Sequence, residues 1–193
     1  MEVAPDEYSL TGWIKFNPKE FTLPPQSSRA IRYSIIPEGK LIPKEYRGAI
    51  EFTPLKGAKI QSHDNEGHQF NLQVLSIVLV PVYGYVKNTK YSGTLSDITV
   101  DKKKDEVLIS ADVSNTNDGI LRFNGEYQIT GPSEKKIEAA SFKKIVIFQK
   151  NKRVLKTMIK KPAESGHYVV RLHIKSYDRR APIELTKETK FDL

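Results

Sequence analysis

The residues best suited to metal binding or proton transfer are the histidines. His63 and His68 flank the polar segment 64–67, and imidazole and carboxylate groups in such a loop can bind zinc or calcium. Their spacing, however, matches no ligand pattern typical of either ion. His167 and His173 lie six residues apart on an expected strand and so share one face, without a carboxylate at matching spacing. We therefore predict no metal site and no cofactor.

The sequence contains no recognisable catalytic motif. It has no cysteine, which excludes thiol nucleophiles, thiolate metal sites and disulfides together. It also lacks the glycine-flanked serine of a nucleophile elbow, a phosphate-binding glycine loop and a His-Glu-x-x-His pair. The adjacent carboxylates Asp105 and Glu106 lie in a charged turn, where side chains are usually solvated. We therefore predict no catalytic residues and a protein that is not an enzyme.

Positive charge is concentrated in the second half of the chain. The net charge is +8, and residues 89–193 contain 21 basic and 14 acidic residues. A possible patch for an anionic surface consists of Lys150, Lys152, Arg153, Lys156, Lys160 and Lys161. Lysines also keep exposed strand edges from pairing with one another, and the spacing favours this second explanation. Only Phe142 and Phe148 could stack on bases within this region, so we expect no nucleic-acid partner.

An apolar segment from Phe70 to Val80 is expected to form a strand. Its apolar side chains alternate, change phase at a position typical of a β-bulge, and then alternate again. The candidate partner-binding residues are Phe70, Leu72, Val74, Leu75, Ile77 and Leu79. Such a strand can bind an extended segment of another protein through main-chain hydrogen bonds and alternating side-chain contacts. The alternative is an ordinary core strand that is buried on both faces.

The elements that must position these residues are strands. Apolar and polar residues alternate in the segments 13–16, 31–35, 50–52, 107–113 and 168–174. A period of two indicates one buried and one solvated face. Turn signals separate these segments at intervals of about 8–12 residues, and no segment shows a helical period. We therefore predict an all-β fold of two tandem immunoglobulin-like β-sandwiches, with domains at 1–88 and 89–193.

One stretch has a more specific pattern. In residues 13–33 a strand ends at Asn17-Pro18, the sequence Phe-Thr-Leu-Pro-Pro follows, and the next strand carries an arginine. This order resembles the first domain of the PapD-like periplasmic chaperones that assemble pili. Residues 41–52 resemble that family's next turn and strand. Residues 165–170 resemble a glycine-x-tyrosine strand start, in which Tyr168 is expected to form a tyrosine corner.

Two features of the family are not matched. Its first domain begins with additional strands, whereas few residues precede Trp13 here. The family also anchors its client's carboxylate with a pair of basic residues, one on the absent first strand and one on a late strand. Residues 76–82, at the second position, contain neither lysine nor arginine. We therefore expect a first domain that is incomplete at its N-terminus and a chain that starts late.

The resemblance implies a chaperone-like protein of the periplasm or cell envelope that holds a secreted, pilin-like subunit by β-strand addition. No signal peptide opens the sequence, which we attribute to the late start. One alternative is a structural or adhesive cell-surface β-sandwich protein without chaperone activity. Another, which takes the missing signal literally, is a cytosolic binding module. No run reaches the roughly 18 apolar residues of a membrane helix, so no membrane span is expected. Nothing in the sequence indicates the oligomeric state.

Overall fold

The computed structural model describes residues 6–63 and 69–193. These residues form strands joined by turns and include no helix, which confirms the all-β prediction. It follows that no helix in the described ranges could cross a membrane. The strands are β1 (Ile14–Asn17), β2 (Arg32–Ile35), β3 (Glu45–Phe52), β4 (Ala58–His63), β5 (Gln69–Val74), β6 (Val78–Tyr85), β7 (Gly93–Leu95), β8 (Thr99–Lys102), β9 (Glu106–Asn115), β10 (Leu121–Thr130), β11 (Lys136–Ile147), β12 (Lys152–Lys160), β13 (His167–Ser176) and β14 (Glu184–Asp192).

The chain forms two compact units. The first comprises Met1–Ile42 and Tyr46–Tyr85, and the second comprises Pro43–Glu45 and Val86–Leu193. The last change of unit falls between Tyr85 and Val86. The tripeptide 43–45 is different, because it belongs to the second unit although the sequence on both sides of it belongs to the first.

The first unit contains three two-stranded sheets in its described part: β1–β2, β3–β6 and β4–β5. A segment near the N-terminus lies along β3, where the Leu10 N–H donates to the Arg47 carbonyl and the Arg47 N–H donates to the Tyr8 carbonyl, both at 2.8 Å. The Trp13 ring packs on the Tyr46 ring at a centroid distance of 4.8 Å. These contacts give the unit a small core, whose buried members include Tyr8, Leu10, Tyr46, Ile50 and Val82.

The second unit is a β-sandwich. One sheet has the order β11-β10-β13-β14, and the other has β12-β9-β7 with β8 also paired to β9. Residues alternate between buried and partly exposed along β9, β10 and β13, as the period-two pattern requires. Both sheets contribute to one core, and the buried Tyr127 hydroxyl of the first sheet donates to the Leu155 carbonyl of the second at 3.1 Å.

Tyr168 forms the predicted tyrosine corner. Its ring is fully buried and stacks on Phe191, and its hydroxyl donates to the carbonyl of Glu164, four residues upstream. Replacing Tyr168 by phenylalanine removes this hydrogen bond but keeps the ring. Because Glu164 is exposed, its carbonyl can bind water instead, and we expect a loss of only about 1 kcal/mol in the free energy of unfolding. Urea unfolding would measure it, and a loss similar to that of Tyr168→Ala would contradict the hydrogen-bond assignment.

Candidate partner-binding edge of the first unit

Strand β6 has an unpaired edge among the described residues. Its two-stranded sheet contains only β3 as a partner. The other edge of β3 is occupied, because Ser9 bridges to Arg47 there in parallel orientation. An edge strand presents N–H and C=O groups that can pair with another chain. The outer side of β6 is therefore where a further strand could join this sheet.

Pro81 indicates which residues of β6 direct their main-chain N–H and C=O groups toward this edge. Proline has no N–H, so within a two-stranded sheet it is found with its nitrogen toward the unpaired side. The N–H of Val86, just after β6, donates to the Lys44 carbonyl, just before β3, which agrees with even-numbered residues facing β3. The N–H and C=O groups of odd-numbered residues then point to the unpaired side. Leu79 therefore offers both of its main-chain groups to an added strand. Pro81 offers only its carbonyl.

The side chains of β6 are unusually open for an apolar strand. Val78, Leu79 and Val80 are 56%, 60% and 44% exposed, whereas Val82 is 5% exposed. The residues before the strand, Leu75 and Ile77, are also about half exposed. The alternative of a core strand buried on both faces is therefore wrong for this segment. An exposed apolar strand with an open edge marks a binding surface or an aggregation-prone site.

The six candidate residues are divided between two strands rather than placed on one. Phe70, Leu72 and Val74 lie on β5, which pairs with β4, while Leu79 lies on β6. The chain between Val74 and Val78 is not a strand, so the expected change of phase is a break and not a bulge. The side chains of Phe70 and Leu72 are outside the described part of the structure.

A groove lies beside the start of β6. Its volume is about 670 Å³, and Val78 contributes to its wall. Two aromatic rings in the wall, Phe21 and Phe52, meet edge to face at a centroid distance of 6.4 Å. Leu23 and Leu55 line the same groove, and both are exposed. The groove can hold an apolar side chain of a strand aligned with the first half of β6.

The lysine patch of the second unit is divided into two groups by its ion pairs. Lys150 lies 3.5 Å from the Asp118 carboxylate, and Lys152 lies 3.3 Å from that of Asp112. No ion pair to a described residue involves the other members, which are Arg153, Lys156, Lys160 and Lys161. β12 is also an edge strand among the described residues, so its lysines lie where they would hinder edge-to-edge pairing. This is the explanation that the spacing of the lysines favoured.

The histidines of β13 have carboxylate partners on the neighbouring strand β14. His167 is opposite Asp192 and bonds to it, and the His173 Nε2 lies 2.7 Å from a Glu184 oxygen. The hydrogen bond from His173 lowers the pKa of Glu184. The two histidines share the outer face as predicted. In the described ranges, no three potential ligands cluster to hold a metal ion; His68 and the side chain of His63 lie outside those ranges.

A buried network of charges in the second unit has no counterpart in the sequence-based predictions. Glu45 is fully buried; its carboxylate accepts a hydrogen bond from Arg122 at 2.6 Å and one from the Ile120 N–H at 2.9 Å. Arg122 also donates to Asp178 at 3.3 Å. Arg180 binds Asp178 through two nitrogens at 2.9 and 2.6 Å, and these bonds lower the pKa of Asp178. Two guanidinium groups, of which that of Arg180 is 37% exposed, thus balance the two carboxylates.

Two polar side chains lie beside this network. Gln149, which is buried, donates to the Glu45 carbonyl and so fixes the main chain of the tripeptide 43–45. The Tyr91 hydroxyl is buried without a hydrogen-bond partner among the described residues, and burial raises the pKa of Tyr91 to about 12. The network therefore holds the tripeptide in the second unit by charged and neutral hydrogen bonds together.

The fold defines an all-β protein with a sandwich in its second unit. No family model and no curated protein matches the sequence, so the PapD-like resemblance remains an expectation. Parts of solved structures are similar. β-glucosidase 3B from Thermotoga neapolitana in complex with alpha-D-glucose has 16% identity and a TM-score of 0.36, over 53% of this chain and 17% of that one. The ApaA protein from Bordetella pertussis has 14% identity and a TM-score of 0.36, over 54% and 94%. Likenesses this distant carry no functional argument.

Proposed function

We propose that the protein is a chaperone-like protein of the cell envelope that holds a secreted subunit by β-strand addition to the outer edge of β6. The observation that carries the proposal is the combination of an unpaired edge with three consecutive exposed apolar side chains, Val78, Leu79 and Val80. Main-chain hydrogen bonds would give such a complex its affinity. Side-chain pairs between the two strands would determine its register. The resemblance of residues 13–52 to the PapD-like chaperones supports the same kind of partner.

The edge favours a partner segment of defined chemistry. Because Pro81 has no N–H, a partner carbonyl opposite it would lack a donor, so the added strand should align with the first half of β6. Val78 also borders the apolar groove, which can accept one bulky apolar side chain of that strand. The partner is therefore an extended segment with alternating apolar residues and a large side chain near the groove.

A second function is favoured by the composition of β6. This strand contains no lysine or arginine, whereas the chaperones hold their client's carboxylate with basic side chains. An apolar edge without such an anchor also suits permanent assembly, in a structural or adhesive surface protein without clients. The two functions differ in exchange, because a chaperone must release its bound strand and a structural module need not.

Replacing Leu79 by lysine tests the edge. A charge at this position disfavours the approach of an added strand. We expect the dissociation constant for a peptide of alternating valine and threonine, with one valine replaced by phenylalanine for the groove, to rise about tenfold or more. Fluorescence anisotropy of the labelled peptide would measure it. The control is Ile36→Lys, because Ile36 is 55% exposed in the same unit but lies outside β6.

Two further results distinguish strand addition from general apolar binding. The same peptide N-methylated on the alternate residues whose N–H groups face β6 loses the hydrogen bonds that it donates to the edge, and we expect it to bind much more weakly; methylation of the other set of residues serves as the control. Equal binding of the methylated and plain peptides, or equal weakening by Leu79→Lys and Ile36→Lys, would refute the proposed edge. Fast exchange of a bound peptide favours the chaperone, and failure to exchange favours the structural module.

A further inference from the structure

A group of lysines at one end of the second unit forms no ion pair with the residues that the structure describes. The turn between β8 and β9 closes through a hydrogen bond from the Lys103 N–H to the Glu106 carbonyl at 2.8 Å. The Lys161 N–H, just after β12, donates to the Asp105 carbonyl in that turn at 2.9 Å. β9 pairs with both neighbours here, so Lys102 and Lys160 lie about 10 Å apart across it. The fold thus joins two lysine-containing segments that are far apart in sequence.

The lysine end is defined as the group of lysines in and beside these two joined segments. Its members are Lys102, Lys103, Lys104, Lys156, Lys160 and Lys161, all exposed, and none forms an ion pair with a described residue. Elsewhere in the unit, ion pairs to described carboxylates involve Lys136, Lys150, Lys152, Lys175 and Lys187. Three acidic residues, Asp101, Asp105 and Glu106, share the segments of the lysine end, and its lysines outnumber them. The surface therefore carries an excess of uncompensated positive charge.

Apolar side chains accompany these lysines. On the outer face of β12, Val154 and Met158 alternate with Lys156 and Lys160 and are 42% and 54% exposed. Basic and apolar groups together suit the interface of a bilayer, where lysines meet anionic headgroups and apolar side chains enter the acyl boundary. The named segments contain no aromatic residue on which nucleic-acid bases could stack. Charge and apolar contact together thus favour a lipid surface over a nucleic acid.

We propose that the lysine end of the second unit docks on a membrane surface rich in anionic lipid. This interaction is independent of strand addition at β6, because it uses a different unit and a different class of partner. Each lysine near an anionic surface strengthens binding by about fivefold, and salt weakens the effect as the screening length falls. Binding should therefore be reversible, dependent on charge and sensitive to ionic strength.

The test is sedimentation of the full chain with vesicles of phosphatidylcholine, with and without phosphatidylglycerol. The first variant combines Lys102→Gln, Lys103→Gln, Lys160→Gln and Lys161→Gln. The second combines Lys136→Gln, Lys150→Gln, Lys152→Gln and Lys187→Gln. Both lose the same charge, but only the first loses uncompensated lysines. We expect the first to bind anionic vesicles on the order of several hundredfold more weakly and the second to bind as the original does.

Other outcomes would overturn the proposal. Equal weakening of the two variants would show that net charge alone drives binding. Binding of a DNA duplex or of heparin without binding of anionic vesicles would assign the surface to a polymer. Met158→Ser supplies a separate check, since it should weaken vesicle binding and leave any heparin binding unchanged. Circular dichroism of every variant verifies the fold.

Discussion

Replacing Glu45 by alanine should destabilise the second unit by about 3–5 kcal/mol, since it leaves an uncompensated charge in a buried network. The Glu45 side chain is fully buried, and that of its partner Arg122 is 12% exposed. Without Glu45, two guanidinium groups share the single carboxylate of Asp178. The Ile120 N–H also loses its acceptor. A loss of this size is a large part of the roughly 5–15 kcal/mol that stabilises a typical domain.

Hydrogen exchange of the β9 and β13 amides would measure this loss, because these strands belong to the second unit. The single tryptophan, Trp13, lies in the first unit, so its fluorescence reports on that unit separately. The Glu45→Gln variant keeps the volume and one acceptor while removing the charge. We expect Glu45→Gln to lower the free energy of unfolding less than Glu45→Ala does, but more than the removal of an exposed ion pair would.

The matched control for Glu45 is an exposed carboxylate in the same unit. Glu188 bonds to Arg171 at 3.1 and 2.8 Å, but its side chain is 39% exposed. Surface pairs contribute about 0–1 kcal/mol, so Glu188→Ala should change little. Similar losses in the Glu45 and Glu188 variants would mean that burial does not decide the effect, and the interpretation of the network would be wrong.

Contacts between residues close together in the sequence could be predicted, whereas contacts between distant residues could not. Tyr168 was predicted as a tyrosine corner from the local glycine-x-tyrosine pattern, and the acceptor of its hydroxyl lies only four residues upstream. The shared face of His167 and His173 follows from strand periodicity alone. Their carboxylates come from β14, and only the pairing of strands shows which residues those are. Glu45 and Arg122 are 77 residues apart, and no local pattern connects them.

The candidate edge was predicted in part for a similar reason. Alternation of apolar residues identified the segment from Phe70 to Leu79, but not the break between Val74 and Val78. A continuous apolar run fits one strand or two equally well, because period-two patterns do not show where pairing changes partner. The exposure of Leu79 could not be predicted from the sequence either, because leucine side chains are usually buried.

Replacing Leu155 by alanine should also destabilise the second unit strongly, by about 2–5 kcal/mol. Leu155 is 2% exposed on β12, and its side chain points toward Gly125 of the facing sheet. Glycine has no side chain that could move into the cavity, so the site can collapse only slightly. The control is Met158→Ala on the same strand, where the side chain is 54% exposed and the expected change is about 0.5 kcal/mol.

A double substitution tests whether the Leu155 effect is a packing cavity. A Cβ at Gly125 would lie 3.7 Å from the Leu155 Cδ1, so it fits beside the original leucine and partly fills the space that alanine leaves. Gly125→Ala should therefore be more favourable in the Leu155→Ala background than alone, with a coupling of about 0.5 kcal/mol or more. Urea unfolding of the four proteins gives this coupling directly. Strict additivity would show that residue 125 does not contact the cavity, because an unrelated backbone effect of the alanine contributes equally in both backgrounds.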